Sequence, residues 1–132
     1  MSFISQFQDF LLDYPVGVHH VEINQAKNID PIDFTLSDDY KTFLSHYTHV
    51  SLFQDFVEYF SLTDPRCVKS NHDSFLAIGA LSAGTLYITK AGRIFWSSDE
   101  IFNPILTAET FSSHLTATCK REALLFDQDG DF

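Results

Sequence analysis

The groups in this chain that could do chemistry are six histidines, two cysteines and eighteen acidic residues. Cys67 comes shortly before His72, which could set a thiol beside a base, but no third residue completes a catalytic set. His46 and His49 could share one face of a helix and bind zinc, yet their spacing suggests no third ligand. A small enzyme that uses Cys67 or the histidines is therefore less favoured than a protein that acts by binding a partner, either as an inhibitor or as a scaffold.

Other familiar site patterns are absent or incomplete. His19 and His20 are adjacent, and adjacent side chains in a strand point to opposite faces, so a shared metal is awkward. Residues 127–131, Asp-Gln-Asp-Gly-Asp, resemble a calcium loop, but the glycine comes fourth rather than sixth and no closing glutamate follows. The chain contains no HExxH, GxxxxGK[ST], GxGxxG or GxSxG motif. We expect no catalytic residue, no metal and no cofactor.

Carboxylates grouped beside aromatic residues are better candidates for function, because buried aromatic contacts supply affinity while carboxylates steer and select a partner. Asp99 and Glu100 follow a predicted strand and precede Phe102 on a predicted exposed loop. The alternative is that each group of carboxylates only keeps the protein surface solvated. The candidate partner-binding residues are Trp96, Asp99, Glu100, Phe102, Asp55, Glu58, Asp64 and Asp73.

The charge balance narrows the class of partner. The formal net charge is -10, from eighteen acidic and eight basic residues, and the sequence pI is about 4.7. Such a surface repels the phosphate backbone, so we expect no nucleic-acid binding. The same field would speed encounter with a basic protein, although acidity that serves only solubility explains the charge as well.

Composition indicates one cytoplasmic domain. A chain of 132 residues that is 45% hydrophobic can bury a core of its own, and fourteen phenylalanines supply much of it. Cys67 and Cys119 are read as free thiols of a reducing compartment, with a long-range disulfide as the alternative. The N-terminal residues lack the basic and apolar regions of a signal peptide, and no membrane span is predicted.

Two helices are predicted in the first part of the chain. The first covers residues 2–13 and ends before Pro15, since the residue that precedes a proline is pushed out of helical geometry. The second covers residues 38 to 46 or 47, with Ser37 as its cap and with Asp38 and Asp39 at the positive end of its dipole. An apolar stripe at helical spacing gives it a core face, made by Tyr40, Phe43, Leu44 and Tyr47.

Strands are predicted through the middle of the chain. Residues 16–24 read as an edge strand or an extended loop, and residues 50–62 favour strands over a helix. Residues 75–79, 85–89 and 93–97 read as strands, with a loop at 80–83 bracketed by glycines and a hairpin turn at Gly92. Turns are expected at 30–33, 63–66 and 70–73. A last helix is predicted from Thr107, as its cap, to residue 123, with Glu109 in its first turn.

This order of elements predicts an α+β domain, residues 1–126, in which helices pack against an antiparallel meandering sheet, followed by an acidic tail at 127–132.

The segments also resemble the SUKH superfamily, which includes bacterial immunity proteins and a fungal cell-wall regulator. Leu36-Ser-Asp-Asp-Tyr-Lys-Thr-Phe-Leu44 is similar to the family pattern Leu-Pro-x-x-Tyr-x-x-Phe-Leu, with Ser37 in place of proline. Phe75-Leu-Ala-Ile-Gly79 is similar to its apolar strand that ends in glycine, and residues 86–88 and 92–94 fit the next two strands. Residues 105–115 look like its closing helix. Thr48-His49 stands where the family commonly has a glycine pair.

The resemblance covers residues 34–118 and implies a binding protein without catalytic activity. Bacterial members neutralise secreted toxins, often nucleases, by binding them, and an acidic inhibitor can cover the basic groove of a nuclease. It therefore implies an immunity protein whose partner is a basic toxin domain. We expect the protein itself to be a monomer or weak dimer. An interaction or scaffold module of the same fold, with a partner unrelated to toxins, is the alternative.

Overall fold

The computed structural model describes residues 2–26, 34–60, 66–70 and 72–129. Within these ranges the elements are, in chain order, α1 (Phe3–Leu12), β1 (His20–Ile23), α2 (Asp38–His46), β2 (Tyr47–Leu52), β3 (Val57–Phe60), β4 (Cys67–Ser70), β5 (Asp73–Leu81), β6 (Gly84–Ile88), β7 (Ile94–Ser98), β8 (Ile105–Ala108) and α3 (Phe111–Asp129). The predicted turn at 30–33 and most of the one at 63–66 lie outside the described residues. The α+β class predicted from the sequence is confirmed.

The eight described strands form one open sheet in which neighbouring strands pair antiparallel, in the order β1-β2-β3-β5-β6-β7-β8. β5 is long enough to pair with β4 through its first half and with β3 through its second half. The segment whose sequence fitted either a strand or a helix forms β2 and β3, joined by a turn at 53–56. The predicted edge strand after Pro15 is β1.

All three described helices pack against one face of the sheet, which we call the helix-covered face. Their aromatic residues meet at its centre: the ring of Phe43 lies 4.9 Å from that of Phe111 and 5.9 Å from that of Phe7, centroid to centroid. The apolar stripe predicted for α2 is buried there, together with Leu76 and Leu86 of the sheet. None of the described helices packs on the opposite, helix-free face.

The start of the last helix is the largest departure from the sequence prediction. Thr107 does not cap a helix, because residues 105–108 form β8 and pair with β7. The Thr107 hydroxyl instead donates to the carbonyl of Ile94 at 3.1 Å. The helix begins at Phe111, and the hydroxyl of Thr110 accepts from the backbone N–H of Ser113 at 3.2 Å. It continues to Asp129, so the first residues of the predicted tail are helical.

The start of α2 also differs from the prediction, although Ser37 does stand at the cap position. The Ser37 hydroxyl accepts no bond from the helix and donates to a carboxylate oxygen of Asp39 at 2.7 Å. That oxygen also accepts from the N–H of Tyr40 at 2.8 Å. The other Asp39 oxygen accepts from the N–H of Ser112, in the first turn of α3, at 2.8 Å. Asp39 therefore ties the starts of two helices together.

The turn between β5 and β6 is tighter than expected. Leu81 still belongs to β5, and only Ser82 and Ala83 lie between the strands. Both have positive φ, 50° and 57°, as the two central residues of a type I′ hairpin turn require. Gly92, in the next turn, has φ 88° as predicted for a hairpin glycine.

None of the helices in the described part of the chain is both long enough and apolar enough to cross a membrane.

Candidate partner-binding face

The helix-free face carries a row of four residues, three of them polar, that runs across the sheet. In the strand register Ser51 of β2 lies opposite Glu58 of β3, Glu58 opposite Ala80 of β5, and Ala80 opposite Thr85 of β6. Adjacent strands are about 4.8 Å apart, so the row from Ser51 to Thr85 spans about 14 Å. Alternation places these residues opposite the core positions Val50, Tyr59 and Leu86.

Two further carboxylates are fixed to the ends of this row by hydroxyl donors. The buried hydroxyl of Ser51 donates to Asp55, in the β2–β3 turn. The hydroxyl of Thr85 donates to Asp99, which follows β7, at 2.7 Å. We call Asp55, Glu58 and Asp99 the acidic row. The strand register thus brings Asp99 into one row with Asp55 and Glu58, which are far from it in the sequence but close to each other.

The carboxylates of the acidic row form no ion pair with a Lys or Arg side chain among the described residues. Glu58 lies 3.3 Å from Nε2 of His49, a pair that is ionic only when His49 is protonated. The Lys and Arg ion pairs found among the described residues are Arg93–Glu109 and Arg121–Glu122, so none involves Asp55, Asp99 or Glu100. Lys90 and Arg93 follow β6 at its other end. The negative charge at this end of the sheet is available to a partner.

An aromatic cluster lies beside the acidic row on the same face. Tyr87 follows Thr85 by two residues on β6, which places it about 7 Å further along the strand. The ring of Phe102 meets those of Phe75 and Tyr87 edge-on at 5.5 and 5.4 Å, and Phe75 meets Phe95 at 5.2 Å. Phe75 and Tyr87 are buried, whereas Phe95 and Phe102 remain partly exposed. We call Phe75, Tyr87, Phe95 and Phe102 the aromatic patch.

Ser97 holds the loop that carries Asp99 and Phe102. Its buried hydroxyl accepts from the N–H of Asn103 at 2.8 Å and lies 3.2 Å from the carbonyl of Ile101, to which it can donate. These contacts fold residues 99–104 back over the sheet, so that Phe102 reaches the aromatic patch. Sequence reasoning missed both Ser97 and Thr85. Their alternation with apolar residues in predicted strands was the available signal, because a hydroxyl on an inner strand needs a partner.

The structure gathers only part of the predicted set of binding residues. Asp55, Glu58, Asp99 and Phe102 share the helix-free face, and Glu100 is exposed on the same loop. Trp96 points the other way: its ring packs on Gly84 at the helix-covered face, and its indole N–H donates to the carbonyl of Leu81 at 2.7 Å.

Two predicted residues lie away from this group or cannot be placed. Asp73 begins β5, seven positions before Ala80, and so lies roughly 20 Å from the acidic row along the strand. Asp64 lies outside the described residues.

The residue pairs considered for catalysis or metal binding do not converge. His46 ends α2 with its Nδ1 2.9 Å from the carbonyl of Thr42, whereas His49 lies on β2 beside Glu58. Cys67 pairs with Leu76 at the start of β4, and His72 follows the end of that strand. No three His, Cys, Asp or Glu side chains within the described ranges are arranged to hold a metal ion.

Two buried ionisable groups, His114 and Cys119, lie under the helix-covered face. Burial, assisted by the charge of Arg121, lowers the pKa of His114 to about 4, and its Nε2 is 2.7 Å from the hydroxyl of Tyr59. Burial raises the pKa of Cys119 to about 12, so this thiol stays protonated at neutral pH and is a poor nucleophile. Cys67 and Cys119 are both free thiols. None of these groups opens onto the acidic row.

Compared with models of protein families, with curated proteins and with solved structures, the chain finds no match. The α+β fold is therefore established by the structure alone. The similarity to the SUKH superfamily stays a prediction from the sequence segments quoted above.

Proposed function

We propose that this protein is a SUKH-like immunity protein of the cytoplasm that binds and neutralises a basic toxin domain of the nuclease class. The observation that carries the proposal is the helix-free face, where the acidic row lies beside the aromatic patch without Lys or Arg partners among the described residues. Carboxylates at fixed positions attract a basic surface, and adjacent aromatic rings supply contact area that excludes water.

The fixed geometry of the carboxylates supports specific rather than diffuse attraction. Asp55 and Asp99 are each held by a hydroxyl donor from a strand, so binding need not immobilise freely rotating side chains. A nuclease carries a cationic groove for the phosphates of its substrate. A row of carboxylates about 14 Å long can occupy such a groove in place of phosphates. The net charge of -10 speeds the encounter.

The direct test is co-expression of this protein with the toxin encoded beside it, combined with pull-down of the complex. The proposal expects survival of the cells and a stable complex. Continued killing, together with no complex in the pull-down, would refute it.

A charge-reversal experiment tests the assigned face. The variant D99K/E100K should slow association at low salt by about tenfold or more, with a smaller effect at high salt where exposed charges are screened. The matched control is D9K/D13K, which changes the net charge equally but on the exposed Asp9 of α1 and the exposed Asp13 that follows this helix. Equal slowing by both variants would show that only the net charge matters and that the interface lies elsewhere.

The same experiments separate this function from the scaffold alternative. A scaffold module would capture a partner through the acidic row, with loss in D99K/E100K, and would leave toxin activity unchanged.

A further inference from the structure

Three connecting segments leave the sheet at the same end, which we call the turn end: residues 53–56 between β2 and β3, residues 82–83 between β5 and β6, and residues 99–104 between β7 and β8. The register shows this directly, because one line across β3, β5, β6 and β7 joins Val57, Leu81, Gly84 and Ser98. Adjacent strands are about 4.8 Å apart, so the line from Val57 to Ser98 is about 14 Å long.

Two large apolar side chains of the turn end remain in water. Phe56 is 63% exposed in the β2–β3 turn, and Ile101 is 73% exposed in the β7–β8 loop. The loop before β1 adds the fully exposed Val16 beside the first of these turns, because the backbone N–H of Gln54 donates to the carbonyl of Val18 at 2.8 Å. Exposed apolar side chains that are scattered singly need no explanation, but three at one end of a sheet indicate a surface that a partner covers.

The β2–β3 turn holds one shape although its backbone is strained. Phe53, Gln54 and Asp55 have φ of 53°, 57° and 74°, a left-handed conformation that residues other than glycine rarely adopt. The backbone N–H of Phe53 donates to Nδ1 of His19 at 3.1 Å and so helps to fix the turn. Strain of this kind persists only where the surrounding contacts over-determine it, and it is concentrated at functional sites. The turn therefore presents Phe56 on a backbone that loses little freedom on binding.

The charges of the turn end define the chemistry of the partner. Its three segments carry the carboxylates of Asp55, Asp99 and Glu100 and contain no lysine or arginine. Glu58 adds a fourth carboxylate two residues after Phe56. Two copies of this chain that met at this end would bring these like charges together and repel each other. A basic surface that offers apolar recesses is complementary both to the carboxylates and to the exposed apolar side chains.

We propose that the turn end anchors the interface, with Phe56 and Ile101 inserted into apolar recesses of a basic surface on the partner protein. The strands that lead to these two anchors, β3 and β7, are about 14 Å apart, so each anchor needs a recess of its own. The carboxylates of the turn end meet the basic groups around the recesses. This inference deepens the proposed function, on which it rests, by assigning the residues that hold the complex together once the charges have brought the two proteins into contact.

Anchors and carboxylates affect different rate constants, and this difference makes the proposal testable. An apolar side chain buried in a recess of the partner slows dissociation, and salt hardly changes its contribution. Exposed carboxylates instead speed association, and salt screens their effect. The probe is the toxin domain encoded beside this protein, immobilised for surface plasmon resonance at low and at high salt.

We expect F56A/I101A to raise the dissociation rate constant by about tenfold or more at both salt concentrations and to change the association rate constant by less than about twofold. The matched control is I23A, which truncates a side chain that is 61% exposed at the opposite end of the sheet, where Ile23 pairs with Tyr47. This control should dissociate at the rate of the wild type. Equal dissociation rates for F56A/I101A and I23A, together with slowed association of D99K/E100K, would overturn the inference and leave the proposed function intact.

Hydrogen exchange of the unaltered protein gives a second measurement that does not depend on the folding of a variant. Amides within residues 53–56 and 99–104 should exchange more slowly in the complex than in the free protein, and protection confined to other segments would overturn the inference. A dimer of the free protein that F56A/I101A dissolves would assign the turn end to a second copy and would also overturn it. Failure of the wild type to bind the toxin domain would refute the proposed function and this inference together.

Discussion

The helix-covered and helix-free faces of this sheet both bury aromatic residues, but the two clusters serve different purposes. Under the helices, Tyr40, Phe43 and Phe111 are at most 2% exposed, and their rings meet at centroid distances of 4.9 Å. On the other face no described helix covers the aromatic patch, and Phe95 and Phe102 remain partly in water. The first arrangement maximises buried apolar area and so stabilises the fold. The second leaves apolar area that a partner can still bury, which suits recognition.

The largest loss of stability is expected from a substitution on the helix-covered face. Phe43→Ala should lower the free energy of unfolding by about 3–5 kcal/mol, because it leaves a cavity among close-packed rings. Urea unfolding followed by circular dichroism measures this difference. A loss below about 1 kcal/mol would contradict the stated difference between the faces, since the helix-covered face would then be no more tightly packed than the helix-free face.

The next largest expected effect is a pH dependence of the free energy of unfolding, which also arises from a residue under the helix-covered face. Because burial holds the pKa of His114 near 4, well below the value of 6.5 for an unfolded chain, the unfolded state binds a proton first as the pH falls. The stability that neutral His114 provides is complete above pH 6.5 and is lost between pH 6.5 and 4. The full loss is about 3 kcal/mol, at about 1.4 kcal/mol for each pH unit.

A comparison of the wild type with His114→Gln isolates this contribution. Unfolding free energies at pH 7, 5.5 and 4 should show a clearly flatter dependence in the variant. Burial also lowers the pKa of His19 to about 4, so a smaller slope in the same window should survive the substitution. An identical slope in both proteins would contradict the assignment to His114.

A smaller effect on stability is expected on the helix-free face. Phe102→Ala should lower the free energy of unfolding by only about 1–2 kcal/mol, because its ring is already partly in water. The same variant should weaken partner binding by tenfold or more if the aromatic patch contributes an anchor. Isothermal titration calorimetry of the complex and urea unfolding of the free protein separate the two quantities. A stability loss equal to that of Phe43→Ala would remove the distinction between the faces.

The smallest expected change in stability concerns one hydroxyl group in the core of the helix-covered face. The hydroxyl of Tyr40 is fully buried and has no hydrogen-bond partner among the described residues. Tyr40→Phe should therefore leave stability unchanged or raise it by up to about 1 kcal/mol. Tyr59→Phe is the matched control: its hydroxyl bonds His114, so its removal should lower stability by about 1–3 kcal/mol. If both variants lose stability equally, Tyr40 has a partner in solution.

Much of the fold could be predicted because local chemistry and burial agree. The stripe Tyr40, Phe43 and Leu44 is helical in its spacing and buried in the structure, and the first helix ends before Pro15 as predicted. The last helix shows where local signals fail. Thr107 and Thr110 carry the same side chain before an apolar residue, so either could begin a helix, and pairing of residues 105–108 with β7 decides for Thr110.

The candidate site was predictable only in part, for a similar reason. Asp99 and Phe102 could be chosen because they are near each other in the chain. That Trp96 faces the core depends on the pleat of β7 and on the space above Gly84, which periodicity cannot assign without knowledge of the neighbouring strand. The link from Asp55 through Glu58 to Asp99 depends on the register of four strands.

The sequence by itself determined the α+β class, the first two helices, the central strands and a strongly acidic surface, because these follow from composition and from side-chain periodicity within a single segment. The tertiary structure alone decided which face of the sheet the helices cover, which strands lie at its edges, and which carboxylates form a row. These features depend on hydrogen bonds and packing between segments that are distant in the chain, and no pattern within one segment encodes such pairing.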